Sequence, residues 1–252
     1  MQKQKRIALA RVLSKKGYCS RSQAANLIRA GRVTLNGRVK RDPETPARLK
    51  DQIEIDGLPL DRAPAVYVVM NKPRGVITTA SDEKGRDTVY DLLDPDLPWL
   101  GPVGRLDKAS EGLLLLTNDS VWAARITDPD SHLDKKYHVQ VDCIPDEELL
   151  SRMTQNLVET VHDEAGAREY LRGKSARILR HGDKHSWLEM TLDEGRNRQI
   201  RRLLEALQIR VLRLIRISIG PLMLGTLKKG STRRLTSEEK KAIDLALRAP
   251  LR

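Results

Sequence analysis

Gly104-Arg-Leu-Asp-Lys-Ala-Ser-Glu-Gly-Leu-Leu-Leu-Leu-Thr-Asn-Asp119 is the stretch that says most about this chain. Leu113 to Leu116 form a short unbroken apolar run with the character of a buried strand. Asp107 stands just before it, between Arg105 and Lys108. A carboxylate held between two permanent cations is expected to stay ionised at neutral pH. A fixed, ionised aspartate can act as nucleophile or base. The same window also reads as a charged loop that feeds a core strand.

Around this segment the apolar pattern alternates in short runs. Val66 to Met70 predicts a strand that ends where Asn71-Lys72-Pro73-Arg74-Gly75 forces a turn, and Val76 to Thr79 resumes as strand. Val89 to Leu93 suits a short helix, and Gly101 to Gly104 a turn. Lys136 to Asp142, Ser186 to Leu192 and Val211 to Ile219 read as strands, the last rich in β-branched residues. Pro145 to Thr154 and Ile200 to Gln208 read as helices, the former with Asp146, Glu147 and Glu148 in its first turn. Strands outnumber helices and do not alternate with them, so an α+β fold with a mixed sheet is expected over a parallel doubly wound one.

The net charge of +12 is segregated. Residues 1 to 50 carry 14 Lys and Arg against Asp42 and Glu44, a net of 14 − 2 = +12, so the remainder sums to zero. A separate polyanion-binding module is implied. It is patterned rather than low in complexity. Leu9, Val12 and Leu13 share a helical face, with Gly17 placed as a C-terminal cap. Ser20 precedes Gln23 at capping-box spacing, and Ala24, Leu27 and Ile28 continue the apolar face. Val33 and Leu35 alternate before a tight turn at Asn36-Gly37, and Ile53 and Ile55 before Asp56-Gly57. Residues 57 to 65 read as a linker. The division expected is a basic module over 1–60 and a larger domain over 61–252.

Composition excludes several classes. No secretory leader and no 18-residue apolar span is present, which points to a cytoplasmic protein that does not cross a membrane. Cys19 and Cys143 are far apart and lack a CxxC partner, which argues against disulfides or a thiolate metal site and suits a reducing compartment. Aromatics make up 3% of the chain, with no Phe, so the core must rest on Leu, Ile and Val. There is no GxxxxGK[ST] and no GxGxxG, so no nucleotide cofactor is expected. His181 and His185 have no Cys or acidic pattern beside them, so no metal is expected either.

Three groupings could carry chemistry. Arg196, Arg198, Arg201 and Arg202 enter a helix after Gly195, where guanidinium groups suit phosphate or a carboxylate such as Asp107. A solvated basic face is the plain alternative. Tyr137, among Lys135, Lys136 and His138, suits stacking under a nucleobase, although core tyrosines are commoner. Asp107 and Glu111 could form a glycosidase-like pair, but Glu111 precedes a glycine at a strand entry, where helical spacing does not apply.

These residues resemble a known family. Gly104 to Asp107 with Ser110 to Asn118 is similar to the catalytic motif of the ribosomal small-subunit type of pseudouridine synthases. Asn71 to Gly75, Lys136-Tyr137, Glu194 to Arg202, and Ile219 to Leu222 through Leu227 to Gly230 resemble its other signatures, in family order. Residues 1 to about 60 resemble the alpha-L RNA-binding module (the type found in ribosomal protein S-four) that precedes many such domains. The resemblance implies isomerisation of a uridine of ribosomal RNA to pseudouridine, with large-subunit RNA slightly favoured over small-subunit RNA. It implies a mixed, mainly antiparallel sheet with the active site in a cleft, and neither metal nor organic cofactor. Asp107 would be the catalytic carboxylate and Arg201 its partner. Tyr137 would stack on uracil where the C5 proton is removed, and Arg105 would displace the target base. Arg196, Arg198, Arg202, Arg21, Arg29 and Arg32 are the remaining candidate RNA contacts. A monomer acting on ribosomal RNA or an assembly intermediate is expected. A non-catalytic RNA-binding or assembly protein on the same scaffold is the alternative.

Overall fold

Leu9, Val12 and Leu13 do line one face of a helix, and that face organises everything up to residue 60. In the computed structural model the described residues are 6–61, 63–80, 85–155, 157–161 and 166–248. β1 (Ile7–Ala8) leads into α1 (Leu9–Lys15), which Gly17 terminates in the left-handed region at φ +81°. Ser20 then caps α2 (Arg21–Arg29): its hydroxyl accepts from Gln23 N, and Gln23 Oε1 accepts from Ser20 N. Such a cap is worth about 1 kcal/mol. β2 (Val33–Leu35) and β3 (Arg38–Lys40) form a hairpin, with Asn36 and Gly37 both at positive φ as a two-residue turn requires. β4 (Pro46–Ala47) pairs with β1, and β5 (Ile53–Ile55) pairs with β2. β6 (Leu58–Pro59) pairs with β5 across Asp56-Gly57. The sheet order is β3-β2-β5-β6. Its apolar side closes on α1 and α2 in a cluster of its own, with Leu9, Leu13, Ile28 and Ile53 fully covered.

The segment expected as a linker thus begins inside β6, because Leu58 and Pro59 continue the hairpin from Gly57. The residues between β6 and the next strand are tied down. Lys16 Nζ donates to Leu60 O, Ala63 N donates to Lys16 O, and the Asn118 amide accepts from Val66 N while donating to Pro64 O.

The rest of the chain builds one large sheet. Its elements are β7 (Tyr67–Lys72), β8 (Gly101–Val103), β9 (Glu111–Thr117), α3 (Ser120–Thr127), β10 (Lys135–Val141) and α4 (Glu147–Thr154). They continue as β11 (Val158–Val161), β12 (Arg168–Leu171), β13 (Ser175–His181), β14 (Ser186–Leu192), α5 (Gln199–Ala206) and β15 (Val211–Ile219). β16 (Leu222–Met223), β17 (Thr232–Arg234) and α6 (Ser237–Ala246) complete the described part. The strand order is β13-β14-β10-β15-β9-β7-β17, with β8 on β9 and β16 on β15. The β9–β15 pair is parallel and the others are antiparallel, so the fold is α+β with a mixed, mainly antiparallel sheet.

β9 is buried at every position because both of its faces are covered. Leu113 and Leu115 pack with Trp122 and Ile126, while Leu114 and Leu116 pack with Val89 and Leu100. Strand periodicity of two divides the leucine run between two cores. Truncating one such leucine to Ala costs about 2–5 kcal/mol.

Several sequence expectations are corrected. Residues 76–79 form no strand, only an isolated bridge from Ile77 to Thr88, because their hydrogen bonds go to the turn around Asp107 and to residues 87–89. Gly101–Val103 is a strand on β9 rather than a turn, and Gly104, at φ +73°, makes the turn. Asp146 caps α4 from outside, its carboxylate accepting from Leu149 N. The β11–β12 hairpin and β13 were not expected.

Candidate active site

Asp107 occupies the turn between β8 and β9, and the Asn71-to-Gly75 signature explains why that turn holds its shape. Lys72 is wholly buried. Its ammonium donates to the carbonyl oxygens of Pro73, Asp107 and Ser110 at 3.0, 3.1 and 3.0 Å. Three acceptors match the three donors of an ammonium. Ser110 N closes the turn onto Asp107 O, Gly75 N donates to Lys108 O, and the Thr78 hydroxyl donates to Leu106 O. Burial pushes Lys72 down to about 8, while Asp107 and Glu111 pull it back up.

Two arginines reach the Asp107 carboxylate. Arg198, at the N-cap of α5 in the left-handed region at φ +48°, places Nη1 3.4 Å from Oδ2. Arg201, one turn into the helix, places Nε 3.9 Å from the same oxygen, and its Nη2 donates to Ala109 O at 3.1 Å. The Arg201 side chain is 13% exposed against 36% for Asp107. Burial lowers the Arg201 pKa, as does Arg198, and Asp107 opposes the shift. The structure therefore brings Arg201 to Asp107 and adds Arg198, whose part in this pairing the sequence did not single out.

The other two arginines of the cluster turn elsewhere. Arg202 Nη1 lies 2.6 Å from Glu169 Oε2, and its Nε donates to Asn197 O. Its side chain is buried, so it is not open to a phosphate as the sequence suggested; it ties α5 to the β11–β12 hairpin instead. Arg196 is shared between Glu169 and Glu194 at 2.9 and 2.6 Å but keeps an exposed edge. Glu169 was not anticipated, because its hairpin carries no strong strand pattern. Burial would raise its carboxyl, yet Arg202 and Arg196 hold it below the ordinary carboxylate range.

Tyr137 comes from β10, where its neighbours across the sheet are Met190 and Arg216. The β10–β15 register slips between Lys136 and Tyr137, an irregularity of the kind that re-aims side chains beside active sites. Tyr137 is 8% exposed. It lines one cavity with Asp107, Arg105, Arg198 and the apolar side chains Leu192 and Leu214. The cavity measures about 180 Å³. A flat ring held between a tyrosine and aliphatic walls, with a carboxylate and several cations at the rim, is what this arrangement can accept.

Glu111 does not face this cavity. It is buried in β9, where Arg213 and Lys229 pair with it. Burial raises its carboxyl, but these two cations overrule that and hold it low. A glycosidase-like pairing with Asp107 is therefore not supported. Arg21 and Arg29 are exposed on α2, and Arg32, before β2, pairs bidentately with Asp56. All three belong to the N-terminal module and not to the cavity. Lys72, Lys135, Arg216 and Glu169 are the functional candidates that sequence reasoning did not assign. A buried lysine between Asn and Pro, and cations at alternate positions near Tyr137, were the available signals.

Residues 66–206 match the family described as RNA pseudouridylate synthase, and residues 9–53 match the S4 domain. The chain is 37% identical over 237 residues to the ribosomal large subunit pseudouridine synthase B of Bacillus subtilis (strain 168), spanning 93% of this chain and 94% of that one. It is also 37% identical over 240 residues to an uncharacterised RNA pseudouridine synthase of Aquifex aeolicus (strain VF5), with 92% of each covered. A crystal structure of a pseudouridylate synthase superposes with a TM-score of 0.65 at 28% identity, covering 94% of this chain and 99% of the other.

Proposed function

The chain belongs to the RNA pseudouridylate synthase family, and from that premise we propose that it isomerises one uridine of ribosomal RNA, large-subunit RNA by preference, with Asp107 as the catalytic carboxylate. The large-subunit preference follows the name of the Bacillus relative and the near-complete overlap with it. The single observation that carries the site is that Asp107 and Tyr137, distant in sequence, line one cavity, with Arg201 within ion-pair reach of the Asp107 carboxylate.

The reaction detaches N1 of uracil from C1′, turns the base and rejoins it through C5. One proton leaves C5 and one is taken up at N1, so the change is redox-neutral. Asp107 attacks C1′ or assists the departure of the base, with Arg201 and Arg198 within ion-pair reach of its Oδ2. Tyr137 offers the face on which uracil stacks and turns. The target must leave its own stack to reach the cavity, at a cost of a few kcal/mol. Contacts from exposed cations offset that cost: Arg105, Arg196 and Arg198 around the cavity, and Arg21, Arg29 and Arg32 on the N-terminal module. Residues 1–60 serve as this RNA-binding module and residues 61–252 as the catalytic domain. No helix among the described residues is long and apolar enough to cross a membrane. The S4 match and the name of the Bacillus relative support an RNA-binding protein acting on ribosomal RNA or an assembly intermediate.

The test is Asp107→Asn. Pseudouridine formed in ribosomal RNA, read by mass spectrometry, is expected to vanish while RNA affinity stays within about twofold. Turnover by the Asn variant, or a wild-type protein that binds ribosomal RNA and modifies nothing, overturns the proposal.

A further inference from the structure

Next to Tyr137 the sheet buries a guanidinium that no carboxylate among the described residues answers. Arg216 is the direct cross-strand neighbour of Tyr137, and such neighbours emerge on the same face with Cβ atoms about 5 Å apart. Arg216 is 5% exposed. Its Nε donates to Leu113 O at 2.7 Å, which fixes the plane of the group. Its Nη2 is buried and has no acceptor among the described residues, and no acidic side chain among them pairs with it. Buried charges are ordinarily paired, because desolvation otherwise penalises them.

The position is enforced by backbone. β15 runs parallel to β9 at Glu111 and Gly112. A Cβ on Gly112 would stand 2.3 Å from the Arg216 carbonyl oxygen, and Gly112 itself sits at φ +102°. The glycine between the Asp107 turn and the leucine run is therefore what lets Arg216 close against β9. Lys135 precedes Tyr137 by two residues, shares its face of the strand, and lines the same cavity as Arg216.

Phosphates do not need this pair, since Arg105 and Arg198 stand exposed at the rim. The floor, beside Leu214 and Ile219, suits a flat ring better than a hydrated phosphodiester. Attack of an Asp107 oxygen on C1′ displaces N1 and leaves both electrons of the broken bond on uracil, so the detached base is a monoanion with charge shared among N1, O2 and O4. We propose that Arg216, with Lys135 beside it, holds this detached uracil anion by donating to one of its carbonyl oxygens while the ring turns. Bonding of C5 to C1′ releases the Asp107 oxygen as carboxylate and returns the ring to neutrality. Loss of the C5 proton and uptake of one at N1 complete the balance. The role rests on the isomerisation proposed above and adds the group that stabilises its charged intermediate.

The experiment compares Arg216→Met and Arg216→Lys with wild type in single turnovers at saturating RNA, on one RNA carrying uridine and one carrying 5-fluorouridine. Fluorine makes the detached ring a weaker base that needs less help. With uridine, Arg216→Met is expected to slow the step about 10²–10³-fold, as loss of a preorganised donor to developing charge does. RNA affinity should stay within about twofold and Arg216→Lys should recover part of the rate. With 5-fluorouridine, followed as loss of that nucleoside from digested RNA, the defect should shrink at least several-fold. Equal defects on both substrates, with a lowered Tm, would mean that Arg216 only supports the fold. A wild-type rate for Arg216→Met removes the role outright. Wild-type protein that modifies neither RNA overturns the activity itself, and this role with it.

Discussion

Asp107 keeps one carboxylate oxygen within ion-pair reach of two arginines that differ in burial. The buried one, Arg201, is fixed by Ala109 O and surrounded by protein, so its charge acts through a poorly screened path. The exposed one, Arg198, competes with water and salt. Arg201→Met is therefore expected to lower the single-turnover rate about 10²–10³-fold, on the scale of a missing preorganised donor. Arg198→Met should cost less, and its defect should shrink as rising ionic strength screens the same ion pair in wild type. Rates measured at two salt concentrations decide this. Asp107 was legible as the candidate carboxylate, because a carboxylate between cations at the lip of an apolar run is unusual. Composition and spacing did not say which of four clustered arginines would meet it; the family resemblance named Arg201, and Arg198 joins it in the structure. Arg201 and Arg202 are adjacent in sequence, and Glu169, a residue of the unforeseen hairpin, draws Arg202 away.

Strands and helices with strong periodicity were the readable ones. β14 and β15 follow their expected limits, and α2 carries its expected capping box. Residues 76–79 misled because their β-branched side chains favour strand, while the Thr78 hydroxyl and the backbone around it serve the turn at Asp107 instead. Lys72 likewise carried no chemical meaning in sequence, since two of its partners are carbonyl oxygens 35 and 38 residues away. Its buried ammonium gives a sign-specific expectation. The folded state releases the proton near 8, against 10.5 when unfolded. Between these values the unfolded chain holds more protons, so unfolding free energy rises with pH across the window. The burial penalty is fully present below about pH 8 and fades toward 10.5. Lys72→Met should abolish this component: the wild-type-minus-variant difference in denaturant midpoint should increase from pH 7.5 to 10. The variant should also lose activity through a loosened turn at Asp107. A pH-independent difference would show that the three carbonyl acceptors hold Lys72 near its ordinary value.

Across the whole molecule, positive charge is concentrated in the first fifty residues and the remainder is balanced, a division visible from composition alone. The orientation of one part against the other was not visible, since it depends on Asn118 and Lys16 bonding to the connecting segment. Replacing Arg21 and Arg29 together with Gln should weaken RNA binding at every uridine context alike. The log–log slope of affinity against salt should fall by about 0.7–0.9 for each phosphate no longer neutralised. Filter binding from 50 to 300 mM salt would test this, and an unchanged slope would remove α2 from the RNA-binding surface.

Because the Asn118 amide clasps the connecting segment at Pro64 and Val66 on both its donor and acceptor sides, the molecule has the makings of a caliper. Its two jaws, one gripping a structured feature and one accepting a single nucleotide, would be set at a fixed span. Substrates in which an inserted base pair shifts that span should then be rejected despite an unchanged target loop, and cutting the clasp with Asn118→Ala should let such misfit RNAs back in.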